Sequence, residues 1–350
     1  MVDKLSKTNE EIWEKIFTKD KEARFQHSLD YKKIIEETYK NCEAHYYISF
    51  KNTKSVALFP FFLVKSRIFG KRFISVPFLD VGGFLGKYDV NSLKEVIKFL
   101  KEGNNNIEIR LNSSMKDFEK YRKFFIREGF GAIGGREQFI VSLTSEENMW
   151  KKFHKHTRND IRKAMKSGLN IVQIEKSVEL KKYYSIYVRE MRNFGTPQHS
   201  FKFFKNLFNT KKVIGFNCYK NKKIIGSLIL LFNEKYGYVA FNISDAKYRN
   251  LRPNDLLYWE TIRWAINNKL EELDLGQVEN GAPEGSRARG LFKFKQKWLG
   301  EIYERVYFTF PKEESSRKKN QLKKFKSIWR KIPLPIVKIL GPKICSELGI

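Results

Sequence analysis

Val213-Ile-Gly-Phe-Asn-Cys-Tyr219, Ile224-Ile-Gly-Ser-Leu-Ile-Leu-Leu-Phe232 and Tyr236-Gly-Tyr-Val-Ala-Phe-Asn-Ile243 are apolar runs of strand length, parted only by Lys220-Asn-Lys222 and Asn233-Glu-Lys235. Runs rich in β-branched and aromatic residues and closed by such polar turns predict an antiparallel three-stranded meander. Upstream, the pattern predicts a strand (170–174) and helices over 178–193 and 200–209. Downstream it predicts a helix over 253–268, with Pro253 at its first position behind Asn250 or Arg252. A strand (272–275), a helix (286–298) and a last strand (302–310) complete the block. The first half repeats it, with helices over 30–40, 91–101 and 116–128 and strands over 45–50, 55–64, 73–76, 107–111 and 138–143. Recurrence of one block at a spacing of roughly 165 to 170 residues points to duplication. The expected division is a first domain of residues 1–147, a second of 148–310 and a tail of 311–350.

The chain has 350 residues, enough for two domains that each bury a core. Its net charge of +29 and pI near 9.8 predict an anionic partner: nucleic acid, acidic lipid headgroups or a pyrophosphate-bearing substrate. The plainer reading is a solvated basic surface. Cys42, Cys218 and Cys345 are odd in number and far apart, which speaks against a disulfide framework or a zinc site and for reduced, cytosolic thiols. His154 and His156, two residues apart on a helix, face different ways, so no metal site is expected. Met1 to Asp20 is charged throughout, which predicts no signal peptide. The longest apolar run, Val56 to Val64, is too short to span a bilayer.

Two cationic features stand out. Across 150–166, read as one helix, Trp150, Phe153, Ile161, Ala164 and Met165 form an apolar stripe and Lys151, Lys155, Arg158, Arg162 and Lys166 a cationic ladder. Arg158 and Arg162, one turn apart, suit a phosphate clamp, the alternative being a solvated face. In the tail, Arg317-Lys-Lys319, Lys323-Lys324, Lys326 and Arg330-Lys331 precede the largely apolar stretch Ile332 to Cys345. A basic segment followed by an apolar one is the two-signal pattern of a peripheral contact with an anionic membrane; a strap docked on the domains or a disordered tail is the competing reading.

Four segments together resemble the FemAB family: Arg158-Asn-Asp-Ile-Arg-Lys-Ala-Met-Lys-Ser-Gly168, Glu190 to Phe204 with Gly195-Thr-Pro197 inside it, Lys247 to Trp259, and Gly290-Leu-Phe-Lys-Phe-Lys-Gln-Lys-Trp-Leu-Gly300. The nearest likeness is to FemAB-related proteins found beside exosortase and extracellular polysaccharide systems. It is good over roughly 150–310 and only outlined before that. The resemblance implies an α/β (α+β) fold of tandem GNAT-like domains, each a mixed, largely antiparallel sheet flanked by helices. The best-known members of that family move an amino acid from aminoacyl-tRNA to a peptidoglycan precursor. An acyl or aminoacyl transferase acting on an amine of a cell-envelope peptidoglycan or polysaccharide precursor is therefore expected, cytoplasmic or peripheral at the inner membrane face.

Lys295, in the pair Phe294-Lys295 before Trp298 and Gly300, resembles the lysine of the family's Phe-Lys-x-x-Phe-Gly signature. Trp replaces the last Phe and Leu299 is inserted, so Lys293 and Lys297 compete with it. A lysine at a cleft edge can stabilise the oxyanion of acyl transfer, with Phe294 and Trp298 flanking the substrate. His199 is a candidate general base, or only a hydrogen-bonding loop residue. Asp80, beside Gly82-Gly83, is a candidate for an amine or hydroxyl, or a turn cap. Asn242 and Asp245, at the end of a strand, are expected to line the cleft of Lys295. Where an ordinary GNAT loop cradles the pyrophosphate of coenzyme A with backbone N–H groups at a helix start, Tyr248 to Asn254 has no glycine and includes Pro253. Arg249 and Arg252 are left to hold phosphate by side chain. That favours aminoacyl-tRNA over acyl-CoA as donor. The alternatives are an acyl-CoA-dependent N-acyltransferase acting on an amino sugar, and a non-catalytic nucleic-acid or membrane-binding protein on the same scaffold.

Overall fold

The computed structural model describes residues 1–51, 54–87, 89–103, 105–312 and 325–349. The chain folds as two compact units: unit 1 is Met1–Arg136, Tyr303–Lys324 and Lys343–Ile350, and unit 2 is Glu137–Ile302 and Phe325–Pro342.

Unit 1 holds strands β1 (Val2–Lys4), β2 (Cys42–Lys51), β3 (Lys54–Ser66), β4 (Gly70–Ile74), the short β5 (Leu85–Gly86) on β3, and β6 (Asn106–Asn112). β1 to β4 pair antiparallel in sequence, and β4 pairs parallel with β6. Helices α1 (Glu10–Lys19), α2 (Leu29–Thr38), α3 (Val90–Lys101) and α4 (Phe118–Arg127) flank the sheet. Their apolar stripes are short and clear: Leu93, Val96, Ile97 and Leu100 on α3, and Phe118, Tyr121, Phe124 and Phe125 on α4 meet Phe59, Phe61, Phe84, Ile107 and Ile109 in one core.

Unit 2 repeats the plan. β8 (Leu169–Gln173), β9 (Val213–Lys220), β10 (Lys223–Phe232) and β11 (Tyr236–Ser244) form the expected antiparallel run, and β12 (Glu272–Glu279) lies parallel to β11. Around it lie α5 (Glu146–Lys152), α6 (Lys155–Lys166), α7 (Ser177–Phe194), α8 (Phe201–Phe208), α9 (Pro253–Asn267) and α10 (Arg287–Gln296). The core gathers Ile225, Leu228 and Leu230 of β10, Leu257, Tyr258 and Ile262 of α9, Leu273 and Leu275 of β12, and Trp298. Each unit is thus a mixed, largely antiparallel sheet flanked by helices, as expected.

Two expectations are corrected, and the described part of the tail takes the docked one of the readings left open for it. The strands taken to close each domain are exchanged. β13 (Glu301–Phe310) pairs antiparallel with β6 from Arg305↔Asn112 to Phe310↔Ile107 and puts Val306 and Phe308 in the core of unit 1. β7 (Gly131–Ser142) instead sends Phe139 and Val141 into the core of unit 2. The division therefore falls between Arg136 and Glu137, not at 147, and again between Ile302 and Tyr303. Alternation tells which residues of a strand face inward but not which partner strand accepts them.

Residues 150–166 are two helices. Phe153 and His154 are extended (ψ 137 and 150), and His154 caps α6 by accepting from the backbone N–H of His156 at 3.3 Å. Lys151 therefore stands on α5, paired with Glu147 at 2.5 Å, off the face that holds Arg158 and Arg162.

The C-terminal segment is docked, not free. A helical turn over 325–329 buries Trp329, and helix α11 (Leu334–Leu348) follows. In unit 2, Arg192 Nε donates to the Ile332 carbonyl at 2.5 Å and Gln198 Nε2 to that of Val337 at 2.8 Å. Gly341 is pressed so close to Gln198 that a Cβ there would meet its amide at 2.0 Å. In unit 1, Arg72 Nη2 donates to the Leu348 carbonyl at 2.8 Å and Arg110 Nη2 to that of Gly349 at 3.2 Å. The basic residues Arg317 to Lys319, Lys323 and Lys324 lie outside the described residues.

Candidate active site in unit 2

β11 and β12 start together and then part. Their register covers Tyr236↔Glu272, Gly237↔Leu273 and Tyr238↔Asp274, while the strands run on to Ser244 and Glu279 with no further pairing between them among the described residues. The cause is local. Gly276 has φ +79, a left-handed conformation that an L side chain resists, so β12 turns just after its last paired residue. Asp274 holds the turn: its Oδ1 accepts the Gly276 N–H at 2.7 Å, and its Oδ2 accepts from Tyr236 Oη at 2.8 Å and from Gln138 Nε2. Past the turn the register between β11 and β12 does not continue.

Lys295 reaches this place. It lies in the last turn of α10, only 6% exposed, and its Nζ donates to the Gln277 carbonyl at 3.0 Å, one residue beyond the turn. A buried ammonium on a β-strand carbonyl, beside a split in the sheet, is a preplaced positive charge. The two competing lysines have other surroundings. Lys293 is exposed and shares Glu284 with Arg289, each at 2.8 Å. Lys297 is locked into a chain of ion pairs: it contacts Asp255 of α9 and Asp160 of α6 (3.3 Å), and Asp160 also meets Arg252 Nε at 3.2 Å. Burial raises the Asp255 carboxyl above its ordinary range, and Lys297 pulls it back.

Trp298 is core and Phe294 is half-buried against it. Trp298 is fully buried, stacked on Tyr258 at 5.5 Å and edge-on to Phe153 at 5.5 Å, and Phe294 packs edge-on to Tyr258 at 4.9 Å. They anchor α10 and so fix where Lys295 stands. Asn242 sits on the diverging half of β11, where its amide donates to the Ser227 carbonyl (3.4 Å) and to Asn254 Oδ1 (3.3 Å). Asp245 ends that strand. Its Oδ1 caps a 3-10 turn (246–251) through the Lys247 N–H at 3.0 Å, and its Oδ2 accepts from Arg189 Nη2 at 3.2 Å.

A cluster of guanidinium groups lies near this strand end. Arg287, the first residue of α10, lies over the Phe194 ring with its Cζ 3.4 Å from the centroid, and Arg330 Nη2 donates to the Phe194 carbonyl at 3.4 Å. Burial first, then the charge of Arg249 and that of Arg330, push Arg287 below the usual guanidinium range, with Glu190 acting against them. Glu190 is buried and accepts from Arg189 Nε at 3.1 Å. Arg189, Arg249, Arg287 and Arg330 thus gather around two carboxylates, Glu190 and Asp245, which leaves positive charge in excess. Arginines so placed suit a phosphate.

In the turn from 245 to 256 the backbone donors are largely occupied. Besides Lys247, Tyr248 N–H goes to the Asp245 carbonyl (3.0 Å), Arg252 N–H to that of Arg249 (3.1 Å), and Asp255 and Leu256 N–H to that of Arg252 (3.1 and 3.4 Å). Arg252 holds a left-handed φ of +63 there and gives its side chain to Asp160. Arg249 joins the guanidinium cluster; Arg252 belongs to the ion-pair chain.

The remaining candidates stand elsewhere. Arg158 donates to the Trp150 and Lys151 carbonyls (3.4 and 3.2 Å), closing the end of α5. Arg162 lies over the Trp150 ring at 5.3 Å, in a groove of about 610 Å³ that it shares with Glu146 and Glu147, carboxylates that repel a phosphate. Both arginines thus lie against Trp150, away from Lys295 and its carbonyl partner in the contacts they make. His199 is enclosed, stacked on Phe203 at 4.3 Å and edge-on to Phe241 at 5.6 Å, and burial lowers its imidazole to about 3. It packs the core, and burial favours its neutral ring. Asp80 lies in unit 1, paired at 3.2 Å with the buried Arg305.

Sequence reasoning missed Arg189, Glu190, Arg287 and Arg330 as individuals. Glu190 carried a signal: it continues the buried stripe Tyr183, Ile186, Tyr187 of α7, where an acid is costly unless a cation meets it.

Residues 151–295 match a family model described as an acetyltransferase (GNAT) domain. Among solved structures the chain is similar to FemX, with a TM-score of 0.69, 12% identity, and 91% of this chain and 99% of that one covered. It is also similar to the C-terminal domain of a putative lysylphosphatidylglycerol synthetase from Agrobacterium fabrum, with a TM-score of 0.59, 12% identity and coverage of 91% and 96%. A tandem GNAT protein from the clavulanic acid biosynthesis pathway gives a TM-score of 0.57, 8% identity and coverage of 88% and 97%. At such identities the likeness is one of fold. No curated protein sequence matches the chain.

Proposed function

Because residues 151–295 form an acyltransferase domain of GNAT type, in a chain with the fold of FemX, we propose that unit 2 transfers an aminoacyl group from a tRNA ester to an amine of a cell-envelope precursor. The observation that carries the reading is Lys295 on the Gln277 carbonyl beside the split between β11 and β12. An attacking amine forms the new C–N bond while the ester C–O bond breaks, and negative charge collects on the carbonyl oxygen in between. Lys295 is placed to stabilise that oxygen, and its charge is prepaid by folding. The released ribose hydroxyl takes a proton as the amide loses one, so no covalent enzyme intermediate is required.

Arg287 and Lys295 stand on one helix, eight residues or about 12 Å of rise apart. A phosphate held at the guanidinium cluster would leave the reacting carbonyl two turns away. The occupied N–H groups of 247–256 support a donor held by side chains in place of a backbone cradle, and the +29 charge suits a polyanion. The FemAB resemblance supports an envelope acceptor.

The second reading, an acyl-CoA donor and an amino-sugar acceptor, is supported by the parting of β11 and β12 after Tyr238↔Asp274, a split in the sheet that an extended donor could enter. Paired titrations in one buffer decide between them. Charged tRNA should bind with marked salt sensitivity and acetyl-CoA should give no thermal shift; mass spectrometry of an amine acceptor with each donor follows. Micromolar acetyl-CoA binding with acetylation of an amino sugar overturns the first reading in favour of the second.

A further inference from the structure

α11 is apolar on two sides, and unit 2 covers one. Val337 and Gly341 face inward, on the side held by Gln198. Ile336, Ile339 and Leu340, spaced three and four residues apart, lie outside on a common face. Ile339 is 66% exposed, and Ile328 in the preceding helical turn is 64% exposed. An exposed apolar face on a docked helix needs cover, from protein or from lipid. Between 325 and 342 the sequence has no acid, and its four cations, Lys326, Arg330, Lys331 and Lys338, are all exposed.

That combination selects the occupant. A second copy meeting this face about a twofold axis would set the same four cations against themselves, in a chain already at +29. An anionic lipid surface takes the isoleucines into its acyl boundary and the cations among its headgroups. We propose that the outer face of this C-terminal strap is a docking surface for an anionic bilayer. The strap is fixed by Trp329, Val337 and Gln198, so the surface is preformed and binds without the cost of ordering a tail. The described residues contain no helix long and apolar enough to cross a membrane, so the contact is peripheral. This inference stands whether or not the donor is a tRNA.

The test is co-sedimentation of the full chain with vesicles of equal phosphatidylglycerol and phosphatidylcholine, against phosphatidylcholine alone. Binding should be strong to the first and weak to the second, each cation contributing about fivefold. Ile336→Ser/Ile339→Ser/Leu340→Ser should lower the partition by about two orders of magnitude at an unchanged melting temperature. Should that variant melt early, Lys331→Glu/Lys338→Glu carries the test, with an expected loss of at least about 25-fold on acidic vesicles. Wild-type binding by a folded triple variant, or by the charge variant, overturns the proposal. So does a dimer in analytical ultracentrifugation that the triple variant dissolves, since a second copy then covers the face.

Discussion

Three lysines in five residues, Lys293, Lys295 and Lys297, should fail in three different ways when removed. Lys297→Ala strips the counter-charge from Asp255, whose side chain is 4% exposed, and from Asp160, which keeps Arg252. An unpaired buried carboxylate of this kind costs about 3–5 kcal/mol. The loss should depend on pH in a set direction. Burial already raises the Asp255 carboxyl, and without Lys297 it rises further. Folded Asp255 then binds a proton that unfolded Asp255 has released, so the deficit is largest at neutral pH and shrinks on acidification into the window between the two values. Lys295→Met leaves the Gln277 carbonyl short of a donor, a cost of about 1–3 kcal/mol. It should instead lower turnover by about 10²–10³ with little change in KM, the size of one lost oxyanion donor. Lys293→Ala breaks an exposed pair with Glu284 and should change neither by much. Urea melts at pH 5 and 7.5, with turnover at matched folded fraction, separate the three. A Lys297→Ala protein as stable as wild type at pH 7.5 refutes the buried-pair argument, and a fully active Lys295→Met refutes the catalytic one.

Replacing both Arg249 and Arg287 by Leu should weaken tRNA binding and lower the slope of log affinity against log salt by about one to two; an unchanged slope would mean the cluster meets no phosphate. His199→Phe should leave the pH–rate profile as it is. Because the buried ring titrates at about 3, wild-type stability is full above the unfolded value and falls as pH drops below about 6.5; the variant should show less of that fall in acid denaturation. Gly276→Ala forces a side chain into a left-handed turn and should cost about 1–2 kcal/mol in a thermal melt while lowering turnover; a neutral result would detach the turn from the site. Ending the chain at residue 324 should abolish cooperative melting, as Arg72 and Arg110 lose carbonyl partners and the Trp329 anchor goes; a truncated protein with a sharp wild-type transition would show that the segment is only an appendage.

The meander over 213–243 was legible because its strands are continuous apolar runs of strand length and its turns carry polar residues, both signals being local. The helix break at Phe153 was not, since Trp150, Phe153 and Ile161 keep helical spacing across it and the extended pair is stabilised by the His154 cap and by Phe153 packing edge-on to Trp298. The signature around Lys295 located the right helix, yet its aromatic residues read as ligand contacts when Trp298 is core. The partners that matter, the Gln277 carbonyl for Lys295 and Phe194 for Arg287, are 18 and 93 residues away in sequence, beyond what any periodicity reports. The exchange of β7 and β13 is of the same kind.

That exchange bears on how the chain comes to be made. The strand that completes unit 1 beside β6, with Val306 and Phe308 for its core and Arg305 for Asp80, is encoded about 190 residues after β6 ends. During synthesis residues 1–136 therefore wait with an open strand edge and two apolar holes until β13 has left the ribosome, for about 10 to 40 seconds at ordinary elongation rates. A nascent N-terminal half is a client for chaperones and not a finished domain, and a gene broken between the two halves would yield neither.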